Sequence, residues 1–143
     1  MARIYSINMI LDAEYSQTNI ATILQRASNL GCLYFQFLAE SLFEGKRALD
    51  AQEVALRIYK AYQIRESQYV NIKIQDAYAT IAFYKTETGY LHFYFEEDAV
   101  RWVKKFIGVA DEYSFDYVRY LRLLLKMIED FALIELRTND EWE

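Results

Sequence analysis

Between residues 78 and 96 the sequence alternates so regularly that one kind of local structure satisfies it. Ala79, Ile81 and Phe83 recur at every second position, and so do Leu91, Phe93 and Phe95. A period of two belongs to the β-strand, whose successive side chains point to opposite faces. The intervening segment, Lys85-Thr86-Glu87-Thr88-Gly89, supplies a glycine for the left-handed position of a hairpin turn. A loop of three or five residues brings both apolar triplets onto one face, and a slip by one residue would mix the faces. The opposite face then collects Tyr78, Thr80, Ala82 and Tyr84 with Tyr90, His92, Tyr94 and Glu96. One face is core. The other is a tyrosine platform with one histidine and one carboxylate.

The rest of the chain supplies what such a hairpin needs to bury its apolar face. Residues 3–11 alternate, with Tyr5, Ile7, Met9 and Leu11 on one side and Ser6 and Asn8 on the other, which predicts a half-buried strand. Ser16 or Thr18 then caps a helix with Ile20, Ile23, Leu24, Ala27 and Leu30 at three-and-four spacing, and Gly31 ends it. Residues 32–38 read as a short buried strand. Strand, helix and strand with short joins predict a right-handed crossover and a parallel pair. A loop with Gly45 covers residues 40–49. Asp50, with Glu53 three residues on, opens a second helix whose stripe is Val54, Ala55, Ile58, Tyr59, Ala61 and Tyr62. Residues 69–75 alternate as a strand ahead of the hairpin. Asp98 caps a third helix to Ile107, closed by Gly108, and a fourth runs over 114–129 with Val118, Leu121, Leu125 and Ile128 as its seam. Residues 131–137 predict a last strand. Trp142 reads as a frayed tail residue.

The expected fold is therefore α+β: a single mixed, mainly antiparallel sheet of about five or six strands with three or four packed helices. Its 143 residues suit one domain, residues 1–143, with a core large enough to need no disulfide or metal. Cys32 is the sole cysteine, so no intramolecular disulfide can form. The N-terminal segment makes a poor signal peptide, and the longest uncharged stretch, residues 27–39, is too short to cross a bilayer. A cytoplasmic location is the expectation.

Composition excludes more chemistry than it suggests. With one histidine, His92, and one cysteine, the usual nitrogen-and-sulfur zinc sites cannot be built, and no metal or other cofactor is expected. No nucleophile elbow surrounds a serine, and four isolated glycines make no phosphate-cradling loop. Asp12 with Glu14 follows the first strand, where magnesium or calcium is conceivable, but a solvated loop explains so short a pattern better. Glu96-Glu97-Asp98 reads as a helix cap that complements the helix dipole. Arg101, Lys104 and Lys105, and then Arg119, Arg122 and Lys126, form solvated helix backs opposite apolar seams. A net charge of −5 disfavours nucleic acid. Stacking of single-stranded bases on the tyrosines would need basic residues that this face lacks.

What remains unexplained is the aromatic surplus: 13 tyrosines and 9 phenylalanines, with no proline. A tyrosine joins an apolar ring to a polar tip and so serves both cores and interfaces. The candidate partner-binding residues are Tyr78, Tyr84, Tyr90, His92, Tyr94 and Glu96, with Glu87 and Glu97 nearby to steer a basic partner. The expectation is a small acidic protein-binding module rather than an enzyme. Its type is that of an inhibitor or immunity protein that neutralises a basic toxin or nuclease by blocking it, and it could also self-associate. The alternatives are a small-molecule-binding domain with a tyrosine-lined pocket around His92, and an enzyme of unrecognised mechanism.

Overall fold

The computed structural model describes residues 3–37, 50–64, 68–74, 77–97 and 117–142. It contains one antiparallel sheet of six strands and three helices, in the order β1 (Arg3–Glu14), α1 (Gln17–Asn29), β2 (Cys32–Phe37), α2 (Ala51–Gln63), β3 (Val70–Ile74), β4 (Ala77–Lys85), β5 (Tyr90–Glu97), α3 (Tyr117–Met127) and β6 (Leu133–Trp142). Across the sheet the strands lie β2-β3-β4-β5-β1-β6.

The hairpin forms as its alternation requires. Phe83 pairs with Phe93 and Ile81 with Phe95, so both triplets share a face, and Ala82, Tyr84, His92 and Tyr94 share the other. Gly89 takes φ +90° and donates its N–H to the Thr86 carbonyl, closing a three-residue loop. On the apolar face Ile7, Met9, Leu11, Phe35, Phe37, Val70, Ile72, Ile74, Ala79, Ile81, Phe83, Leu91, Phe93 and Phe95 are buried. The buried residues of all three helices join them in one cluster, so the described helices form a single layer on this side. Phe83 stacks on Phe93 at 5.0 Å between centroids, and Tyr120 of α3 tilts onto Phe95 at 5.6 Å.

The helix ends follow local chemistry. Ser16 accepts the N–H of Asn19, and Asp50 accepts that of Glu53, each satisfying a donor that the first turn leaves unpaired. Gly31 takes φ +103° just beyond α1.

Four expectations need correction. β1 and β2 do not pair: they run in the same direction but β3, β4 and β5 lie between them. A crossover helix returns along the strand direction, so its length does not set how many strands separate the two that it joins. Secondly, the seam of α3 is Tyr120, Leu124, Met127 and Ile128, whereas Leu125 is 51% exposed and Leu121 only partly buried. Thirdly, β1 continues through Glu14, so Asp12 and Glu14 lie in a strand rather than a loop. Finally, β6 runs on to Trp142, which pairs with Arg3 and is no frayed tail. The helix expected over 98–107 and the loop over 40–49 lie outside the described residues.

Candidate functional site

The face of the sheet away from the three helices is built by the even positions of β4 and β5 and their neighbours in β1 and β6. Tyr84 is its centre. Its ring sits 5.4 Å from His92 and 6.3 Å, edge-on, from Tyr94, and its hydroxyl donates to that of Tyr69 at 2.9 Å. The Tyr94 hydroxyl donates to Glu96 at 2.8 Å, and Thr80 bonds Asn71 across the strands at 2.9 Å. Burial, then the Tyr69 and Glu96 neighbours, push the Tyr84 hydroxyl far above the ordinary phenol range. Burial and the bond to Glu96 do the same for Tyr94. Both phenols are therefore neutral donors, and neither is a candidate base.

His92 lies beside β1. Its Nε2 is 2.7 Å from the Asn8 side-chain oxygen, a diagonal cross-strand contact in which the neutral ring donates and keeps Nδ1 as acceptor. A hollow of about 220 Å³ opens here, lined by Asn8, Ile10, His92, Glu135, Arg137 and Asn139. It arises because Asn8 and Ile10 of β1 are flanked by longer side chains on β5 and β6. Among the described residues its lining includes no tyrosine, and its volume lies below the roughly 300–1,000 Å³ usual for small-molecule sites. Arg137 is bonded to Glu135 within its own strand.

Burial lowers the His92 pKa; Glu135 opposes the shift and Arg137 adds to it. The folded pKa thus lies below the unfolded value of about 6.5. The unfolded chain takes the proton first, so stability held by neutral His92 is present above about pH 6.5 and is lost as pH falls toward the folded pKa. Relative to His92→Gln, the wild type should lose stability on acidification through that window, read as denaturant midpoints at stepped pH. A wild type that gains on the variant instead would contradict the assigned environment.

Of the six sequence-derived residues, the structure brings together Tyr84, His92, Tyr94 and Glu96. Tyr78 holds the expected register, opposite Lys73, and its side chain lies outside the described set. Tyr90 departs from the platform. It is 38% exposed at the hairpin end and lines a second hollow of about 400 Å³ with Asp12, Ala13, Glu14, Tyr15, Lys85, Thr88 and Gly89. Lys85 shares that hollow with Asp12 and Glu14. Among the described residues no group of three or more histidine, cysteine, aspartate or glutamate side chains is arranged to hold a metal ion.

Sequence reasoning missed three contributors. Tyr69 just before β3, Asn8 of β1 and the Glu135–Arg137 pair of β6 come from distant parts of the chain, and nothing near His92 in the sequence announces them. Tyr15, beyond the end of β1, is only 5% exposed and packs on Tyr62 at 4.8 Å and Tyr59 at 5.9 Å, so part of the tyrosine surplus is core. No described helix is long and apolar enough to cross a membrane. Comparison with protein-family models, with curated proteins and with solved structures finds no match.

Proposed function

We propose that the chain is a small protein-binding module whose docking surface is the sheet face left uncovered by the described helices, around Tyr84, His92, Tyr94 and Glu96. Its type is that of an inhibitor or immunity protein that occludes a basic toxin or nuclease domain. The single observation behind this reading is that the open face is already ordered. Tyr84 is held by Tyr69, Tyr94 by Glu96 and His92 by Asn8. Rings fixed in this way lose little side-chain entropy on association, and tyrosine and tryptophan are over-represented among residues that dominate binding energy.

Close to Tyr84 and His92, Lys73 and Arg137 offset Glu96 and Glu135, while Asp12 and Glu14 add negative charge at the hairpin end of the face. Affinity would therefore rest on the aromatic and hydrogen-bonding groups, while the net charge of −5 steers a basic partner from a distance. Tyr84→Ala and Tyr94→Ala should each weaken binding by about 1–3 kcal/mol, mainly through faster dissociation. The check is capture from the native cell by the wild type and by the doubly substituted chain, followed by dissociation rates for the protein retained. Equal retention by both chains, with the fold intact, would end the reading.

A further inference from the structure

A trough runs along β1 on the sheet face that the described helices leave uncovered. The register sets its walls: Asn8 lies between Tyr94 of β5 and Arg137 of β6, and Ile10 lies between His92 and Glu135. In both rows the β1 side chain is the shorter one. The walls therefore stand about 10 Å apart, two strand spacings, over a floor of Asn8 and Ile10. Asn139 completes the lining of a hollow of about 220 Å³, which has room for one side chain rather than for a drug-sized molecule.

The trough holds hydrogen-bonding capacity that the described fold does not use. His92 donates its Nε2 proton to the Asn8 oxygen and keeps Nδ1 as an acceptor, while Asn8 keeps its amide N–H donors. Glu135 and Arg137 bond each other through one oxygen and one N–H, and among the described residues neither has a second partner. Their charges cancel. A carboxylate entering the trough would meet Glu135 and an ammonium group would meet Arg137, so neither sign gains a net attraction. A primary carboxamide suits both walls, because its two N–H groups can reach Glu135 and His92 Nδ1 while its oxygen accepts from Arg137 or Asn8. A hydroxyl offers a single donor and leaves an acceptor unpaired, which is costly once water is excluded. We propose that this trough receives an asparagine or glutamine side chain of the protein that docks on this face. The inference rests on the reading of the face as a docking surface and names the group that the surface recognises.

His92 is the one histidine of the chain, so its ring C–H resonances report the trough unambiguously. In a titration of the full chain at neutral pH, glutamine capped as its N-acetyl methylamide should shift those resonances saturably. It should bind about tenfold or more tighter than glutamate or lysine capped in the same way. Arg137→Gln leaves Glu135 uncompensated and should turn the preference to capped lysine, whereas Glu135→Gln should turn it to capped glutamate. No saturable shift at any soluble concentration of capped glutamine would overturn the proposal. So would equal binding of either charged probe by the wild type, or an unchanged preference in both variants. The titration needs no partner, which keeps the two readings apart. Partner capture through Tyr84 and Tyr94 without glutamine binding sinks the carboxamide site alone. Glutamine binding without such capture ends the docking reading and leaves the carboxamide specificity of the trough standing.

Discussion

Phe93→Ala is expected to destabilise the fold by about 3–5 kcal/mol, because it removes a fully buried ring whose surroundings can relax only in part. Phe93 is 1% exposed, pairs with Phe83 on one side and with Met9 on the other, and stacks on Phe83 at 5.0 Å. It therefore sits where β4, β5 and β1 share one apolar surface under the helices. Phe93→Leu should cost less, since it deletes less volume. A urea titration followed by circular dichroism reads both. A midpoint for Phe93→Ala indistinguishable from the wild type would mean that the two hairpin faces are assigned the wrong way round.

Leu124→Ala is expected to cost about 2–5 kcal/mol, and Leu125→Ala less than about 1 kcal/mol, because one side chain is buried and its neighbour is half in water. Leu124 is fully buried and Leu125 is 51% exposed. The contrast isolates the orientation of α3 from its helical propensity, since both substitutions change leucine to alanine in the same turn. Equal losses, or a larger loss at Leu125, would show that α3 presents a different face to the sheet.

The α3 seam also shows where reading the chain fails. Leu121, Leu123, Leu124 and Leu125 crowd the middle of the helix, so several faces are apolar enough to serve. Adjacent helical residues differ by about 100° in direction, and a run of leucines leaves that rotation open. Val118, Leu121, Leu125 and Ile128 make an acceptable stripe. Tyr120, Leu124, Met127 and Ile128 are the residues the core takes. By contrast, spacing picks out most of the buried positions of α1 and α2 and Asp50 as the cap of α2, while the structure chooses Ser16 over Thr18 as the cap of α1.

The candidate site divides in the same way. That Tyr84, His92, Tyr94 and Glu96 share a face follows from the hairpin, where pleat and turn are local and the apolar triplets admit one pairing. Tyr90 has the same parity but lies where the hairpin closes and the chain turns toward Glu14 and Tyr15, so its surroundings differ. What surrounds His92 is not local. Asn8 and the Glu135–Arg137 pair reach it because β1 inserts between β5 and β6.

The sequence by itself determined the class of the fold, the two faces of the hairpin, the cap of α2 and the limit of one histidine and one cysteine. These depend on periods, on capping side chains and on residue counts, all expressed over a few neighbouring positions or over none. Only the tertiary structure decided the strand order, the rotation of α3 and the surroundings of His92. A strand's hydrogen-bonding edges are chemically alike whichever partner they meet, so the choice among partners rests on the packing of the whole layer. The separation of β1 from β2 by three strands is a consequence of that packing, and no pattern within either strand encodes it.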